Sequence, residues 1–251
     1  MSDALLAKID RLQDWIAATP GACNGGRAMA TDDPDVLGWD VIAEHLKEDG
    51  VFVFRHMPPD MVPVIEARVS ELDCALHQWN VFHATVEEVA SRRSPKPTPA
   101  DHTIATETKP DHETVQQATD FLASRGLRPF TPRVLAGDIS ASALVTARNT
   151  AGRLTAVAFG HMPFTAPSRW TGMGWCGLVA VDETARGTGL GRAVNDASID
   201  AMLHSHGAGG VFEYAAADNT ASRRMIEGSG LRLRDDLVTC AATAGSTPYT
   251  R

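Results

Sequence analysis

Apolar residues recur at helical spacing from the start of the chain, where Leu5, Ile9, Leu12 and Ile16 alternate with Lys8, Asp10, Arg11 and Asp14. That pattern predicts an amphipathic helix rather than a signal peptide. Trp39 to Leu46 reads as a second helix and Gly50 to Phe54 as a short strand. From Met61 to Val81 the stripe Val62, Ile65, Val69, Leu72 and Leu76 predicts one long helix. The run from Ser91 to Ala100 then has three prolines in ten residues and no apolar periodicity, which reads as an extended linker. The domain boundary is placed there, dividing the chain into units 1–95 and 101–251.

The second unit is more regular. Thr103–Glu107 predicts a strand and Glu113–Ser124 a helix; Ala141–Ala147 and Leu154–Phe159 flank Asn149–Gly152 as an antiparallel hairpin. A loop rich in Pro, Gly and Trp runs from His161 to Gly174. Trp175–Val181 is apolar enough for a central strand and leads through Asp182–Ala185 into Arg186-Gly-Thr-Gly-Leu-Gly191. A helix follows with Leu190, Val194, Ala197 and Ala201 on one face, stopping at Gly207. Val211–Ala215 is a strand, Asp218 or Asn219 caps a helix from Thr220 to about Gly228, and Leu231–Leu233 and Leu237–Ala241 close the pattern as two strands.

Composition narrows the class. The 251 residues are 43% hydrophobic and 22% charged, with no apolar run long enough for a membrane span, so disorder, collagen and coiled coil are excluded. The net charge of −8 is uneven: the first hundred residues hold 9 Lys/Arg against 16 Asp/Glu, and the rest is nearly neutral. An acidic chain disfavours nucleic-acid and anionic-membrane partners. Cys23, Cys74, Cys176 and Cys240 form no CxxC pair, which reads as thiols without a zinc site or disulfide framework. The expected location is the cytoplasm, and the excess of Arg over Lys, 19 to 4, points to a GC-rich bacterial source.

Chemistry concentrates in the glycine-rich turn between strand and helix. Backbone amides at a helix start, beside residues without side chains, can cradle a phosphate while the helix dipole favours its charge. A Walker A loop requires Gly-Lys-Ser/Thr, but Gly191 is followed by Arg192 and Ala193. The Rossmann fingerprint requires glycine where Arg192 stands. What fits is Arg/Gln-x-x-Gly-x-Gly/Ala, met by Arg186, Gly189 and Gly191 after Val179-Ala180-Val181 and Asp182-Glu183. This resembles the GNAT superfamily, the GCN5-related N-acetyltransferases. Asn219, Ser222, Met225, Ile226, Glu227, Gly230 and Leu231 fall at the intervals of the second GNAT motif, so the resemblance covers about 101–251 and leaves the first hundred residues unassigned.

The resemblance implies an α/β (α+β) fold, a mixed central sheet flanked by helices, with an additional N-terminal α/β unit that a degenerate GNAT half would explain. It implies an acetyl-CoA-dependent N-acetyltransferase without a metal, in which an amine of a small molecule or protein attacks the thioester directly. The pantetheine arm would pair with Val179, Ala180 and Val181. The pyrophosphate would sit on amides of Arg186, Gly187, Thr188, Gly189, Leu190, Gly191 and Arg192, Asn219 would bond the pantetheine arm, and Ser222 and Ile226 would also contact the coenzyme. Many family members use a tyrosine as the acid that protonates the leaving thiolate, and Ile226 occupies that position. Tyr214, Tyr249, Ser222 or water could substitute; the alternative is a CoA-binding protein that has lost catalysis. Glu213, on the strand beside the gap, and His161, at the mouth of the Trp170 loop, are the candidate bases. The acidic first unit would favour cationic acceptors such as polyamines or aminoglycosides by steering. A homodimer remains open.

Overall fold

In the computed structural model, residues 3–94 and 97–245 are described. The amphipathic start forms α1 (Asp3–Arg11) and α2 (Gln13–Ala18), which bury Leu5, Ile9 and Ile16. Then come β1 (Ala22–Asn24), β2 (Met29–Thr31), α3 (Pro34–Leu37) and α4 (Trp39–Asp49). Gly50 ends α4 in the left-handed conformation, φ 65°, where a side chain would be strained. β3 (Val51–Met57), α5 (Val62–Ser70), β4 (Cys74–Thr85) and α6 (Val86–Arg92) complete the first half. Thr85 and Glu88 start α6 with a reciprocal capping box.

The long helix read over Met61–Val81 is therefore only half present. It stops at Ser70, the chain turns at Asp73 with φ 54°, and Leu76 belongs to β4. The aromatic and β-branched residues Trp79, Val81 and Phe82 suit a strand, and pairing on both edges of β4 outweighs the helical spacing of two leucines.

The second half contains β5 (His102–Glu107), α7 (His112–Ser124), α8 (Pro132–Leu135), β6 (Ser142–Asn149), β7 (Leu154–His161) and β8 (Met173–Val181). It ends with α9 (Leu190–Asp200), β9 (Gly210–Ala215), α10 (Thr220–Gly228) and β10 (Arg232–Ala244). β6 and β7 form the anticipated antiparallel hairpin. The two short closing strands are one strand, β10, whose register against β4 jumps between Arg234 and Val238. Asp235 and Asp236 sit in that bulge, and their polarity is what made the strand look interrupted.

The ten strands of the described residues join one mixed sheet in the order β1-β2-β3-β10-β4-β9-β8-β7-β6-β5. β4, from before the proline-rich stretch, is inserted between β9 and β10, which lie after it. Apolar packing follows the sheet on both faces: Phe52, Phe54, Phe82, Phe159 and Phe212 are all buried to below 2% exposure. Truncating any one to Ala would cost about 3–5 kcal/mol. All four cysteines are buried and unpaired.

Candidate active site

β8 and β9 run parallel only from Met173–Trp175 against Gly210–Phe212, and then separate. Past that point β8 is paired on its other edge alone, to β7, and the ladder there slips between Val157 and Phe159. Leu178 occupies the slip with φ 50°, a costly conformation for a γ-branched residue and one that turns the local backbone out of the regular pleat. The opened strands border a cleft of about 550 Å³. Gly177, Leu178 and Val179 line one side, and Ala215 and Ala216 the other, with Asn219, Ser222 and Ile226 of α10 closing one end.

β8 leads straight into the glycine turn. Asp182 accepts hydrogen bonds from the Thr184 amide at 3.0 Å and hydroxyl at 2.7 Å, and Arg125 donates to it at 2.7 Å, fixing the exit of the strand. Gly187 and Gly189 then adopt φ 79° and 92°, and Gly189 caps α9. The amides of Leu190, Gly191 and Arg192 open that helix and have no acceptor within it. A Cβ on Gly191 would approach Cγ2 of Val181 to 3.1 Å, so glycine keeps the helix start close to the end of β8. The Arg186 side chain is largely exposed beside the turn, 58%. Arg192 instead donates to Asp196 at 2.8 and 2.9 Å and to the Ser94 carbonyl at 3.0 Å, which leaves its amide, not its guanidinium, to face an anion. A bulged strand edge, then, runs onto a helix start where Gly187, Gly189 and Gly191 carry no side chain, and a long arm ending in a diphosphate fits that cradle. Asn219 caps α10 by accepting from the Ser222 amide at 3.1 Å, as the sequence predicts, and it also borders the cleft.

Glu213 and Tyr214 are consecutive on β9 and face opposite sides of the sheet, yet both reach the cleft because it opens between separated strands. Glu213 is buried and accepts from Asn195 Nδ2 at 2.8 Å; burial pushes its carboxyl up to about 8, against the pull of that hydrogen bond. Tyr214 Oη and His56 Nε2 share a hydrogen bond of 2.7 Å, and Arg55 Nη1 donates to the same oxygen at 3.4 Å. Burial raises the Tyr214 hydroxyl, while hydrogen bonds from Thr239 and Arg55 pull it down. His56 is held well below the usual imidazole range by burial and by nearby Arg55, so it is neutral.

Arg55 and His56 reach one phenol because β3 bulges there. Its register against β10 shifts between the Cys240↔Phe54 and Val238↔Met57 pairs, and His56 has φ 56°. In a regular strand the two side chains would point to opposite faces; the extra residue lets both meet Tyr214.

The structure brings Glu213, Tyr214, Asn219, Ser222 and Ile226 together with Val179 on one cleft. Ile226 is buried at the position where a tyrosine was sought. His161 is placed elsewhere: it is fully buried with its ring against Phe130, Phe159 and Trp175, and it does not line the cleft. Tyr249 lies outside the described residues. Sequence reasoning missed Arg27, Arg55, His56 and Trp79, which come from the first hundred residues. One signal was present: Arg55-His56 interrupts the otherwise apolar run Val51–Met57.

A GCN5-related N-acetyltransferase from Kribbella flavida shares this architecture with a TM-score of 0.60 at 12% identity, over 96% of each chain. The fold is that of the GNAT superfamily. A Drosophila protein matches with a TM-score of 0.61 at 14% identity, over 96% of this chain and 88% of that one. A tandem GNAT protein from the clavulanic acid biosynthesis pathway matches with a TM-score of 0.56 at 15% identity, over 96% and 89%. The match spans nearly all of this chain, so the likeness in fold to a tandem GNAT protein includes the first hundred residues. No protein-family model and no curated protein sequence matches the chain. The GNAT relationship is one of three-dimensional fold.

Proposed function

We propose that the protein is an acetyl-CoA-dependent N-acetyltransferase working in the cytoplasm on a small-molecule amine, with a unit over 101–251 that binds the coenzyme and an acidic unit over 1–95 that closes the acceptor side. The observation that carries this reading is the separation of β8 from β9 at the Leu178 bulge, directly upstream of the Gly187–Gly191 turn. Val179, Ala180 and Val181 offer a strand edge to the pantetheine arm. The Arg186–Arg192 amides hold the diphosphate, and Asn219, Ser222 and Ile226 border the arm. Bound there, acetyl-CoA supplies the activated acyl carbon.

In the reaction the C–N bond to the amine forms, the C–S bond breaks, one proton leaves the amine and one reaches the departing thiolate. Glu213, whose carboxyl burial raises to about 8, takes the amine proton directly or through water when ionised, the minor form at neutral pH, so this step gains rate as the pH rises towards 8. Tyr214 supplies the proton that Ile226 cannot. His56 has no partner at Nδ1 among the described residues, and a buried orphan N–H is harder to accommodate than an orphan lone pair. The proton therefore sits on Nε2, which donates to Tyr214 Oη and leaves the phenolic proton to point into the cleft. His161 has no part in this scheme.

Calorimetric titration of acetyl-CoA tests the reading. Wild type binds, and Gly189→Glu, which puts a carboxylate into the anion cradle, loses at least about 100-fold in affinity. No binding by wild type, or equal binding by both, overturns it. Ile226 also favours a second reading, a coenzyme-binding protein without catalysis; thiol release from acetyl-CoA with any amine excludes that.

A further inference from the structure

Glu213 lines the cleft, but the side chain that holds it does not. Asn195, on α9, is fully buried, and its Nδ2 donates to Glu213 Oε1 at 2.8 Å and to Ser229 Oγ at 3.1 Å. Ser229, just past α10 and also fully buried, donates its hydroxyl to the Met225 carbonyl at 3.2 Å. The chain of bonds therefore ends on a backbone carbonyl, which cannot pass a proton on. A proton taken up by Glu213 has to leave by the cleft. Asn195 Oδ1, for its part, is buried with no partner among the described residues. An unpaired buried amide oxygen costs stability, and a leucine on α9 would fill the position without that cost.

The proton cycle of a base accounts for an amide at this place. An ionised carboxyl only accepts hydrogen bonds, whereas a neutral one also donates, and a side-chain amide serves both because it carries NH2 on one side and oxygen on the other. With Nδ2 forward, Asn195 donates to the ionised Glu213. Turned over about Cβ–Cγ, it brings Oδ1 forward to accept the proton of the neutral form, and the Ser229 hydroxyl rotates from accepting to donating. The charged and titratable groups near Glu213 are engaged otherwise. Arg192 and Asp196 of α9 pair with each other at 2.8 and 2.9 Å, Arg93 after α6 pairs with Asp200 at 2.6 Å, and burial pushes the Cys176 thiol of β8 up, so that it stays neutral. We propose that Asn195 is the positioning residue of Glu213, an amide that turns over with the carboxyl proton and so keeps Oε1 anchored and Oε2 available to the amine in both states. The proposal rests on the reading of Glu213 as the base of the acetyltransferase.

The pH dependence separates positioning from packing. Asn195→Leu, close in volume and without a donor, loses the bond to the ionised carboxyl and raises that group further. The pH midpoint of kcat/KM, read by thiol release from acetyl-CoA, should therefore move up by about one to two units, the shift expected from one hydrogen bond to a charged group. At pH 7 the rate should fall about 10- to 100-fold and be largely recovered by pH 10, while the acetyl-CoA Kd stays within about threefold. Asn195→Ala serves if the Leu variant does not fold. A rate lowered equally at every pH, with the midpoint unmoved, overturns the proposal and leaves the acetyltransferase reading in place. Wild type gives a second measurement that needs no turnover: carbon-13 NMR of the Glu213 carboxyl and nitrogen-15 NMR of the Asn195 side-chain amide. The two signals should titrate with one midpoint, and the Asn195 signal should stop responding in Glu213→Gln. An Asn195 amide that ignores the Glu213 titration overturns the proposal. Absence of turnover with every amine removes the acetyltransferase reading instead, and the two resonances still decide whether Asn195 follows the carboxyl proton.

Discussion

Tyr214 of β9 and His56 of β3 are 158 residues apart in the chain and share one hydrogen bond of 2.7 Å. Neither residue belongs to a motif; the β3 bulge turns His56 towards Tyr214, and of the two Tyr214 lines the cleft. Removing the phenolic oxygen should be felt in catalysis. Tyr214→Phe is expected to lower kcat by about 10²- to 10³-fold, the usual contribution of a positioned acid. The acetyl-CoA Kd should stay within about threefold by calorimetry. It should also lower stability by about 1–3 kcal/mol, because the His56 nitrogen loses its buried partner. An unchanged kcat would remove Tyr214 from the mechanism.

The carboxyl of Glu213 gives stability a pH dependence. An unfolded glutamate titrates near 4.5, and in the fold burial raises it to about 8. The folded state thus prefers the protonated form, and its contribution is complete below pH 4.5 and is lost as the pH rises to about 8. Glu213→Gln, which cannot ionise, should leave Tm nearly unchanged at pH 4 and raise it progressively up to pH 8, with no further gain above. Melting curves of both proteins from pH 4 to 9 would show it. A difference that does not change with pH would mean that folding leaves the titration of this carboxyl unshifted. The same variant should lose most activity at every pH.

The glycine turn makes a sharper prediction than its exposure implies. Gly189 has φ 92° and starts α9, so Gly189→Ala places a Cβ where the backbone disfavours one by about 1–2 kcal/mol. Acetyl-CoA affinity should fall about tenfold by calorimetry while the far-ultraviolet circular dichroism is preserved. Affinity equal to wild type would mean that the Gly187–Gly191 amides do not bear on the ligand.

β4 donates a strand from the first half to the second, pairing with β9 on one edge and β10 on the other. A fragment of residues 101–251 should therefore lack the strand that joins β9 to β10 and remain unfolded by proton NMR. Supplying residues 1–100 as a separate chain should restore dispersed amide resonances. A well-folded isolated fragment would show that β9 and β10 can close on each other.

What was legible in the sequence and what was not divide along the range of the forces involved. The glycine turn, the β6–β7 hairpin and the cap at Asn219 are local, because each is set by φ preferences and hydrogen bonds within a few residues. The helix over Met61–Val81 failed because two leucines matched its spacing, while the decisive pairing of β4 comes from residues more than a hundred positions away. Glu213 and Tyr214 were read as lying beside the gap from their strand alone, and both line the cleft. His161 was assigned to the mouth of a loop, but Phe130 comes from outside that loop and buries it. Arg27 and Arg55 were invisible for the same reason: a sequence shows that they are arginines, and only the closed sheet shows that both line the cleft.

The insertion of β4 also sets a timetable for synthesis. When β4 leaves the ribosome neither of its neighbours exists, and β9 follows about 125 residues later. At roughly 5–20 residues per second, both edges of a twelve-residue strand containing Trp79 and Phe82 wait on the order of 10 s for partners. During that interval the nascent chain presents a ready template for pairing with another copy. Its yield in the cell should thus depend on holdase chaperones and on translation speed across residues 86–210 more than on the stability of the finished sheet.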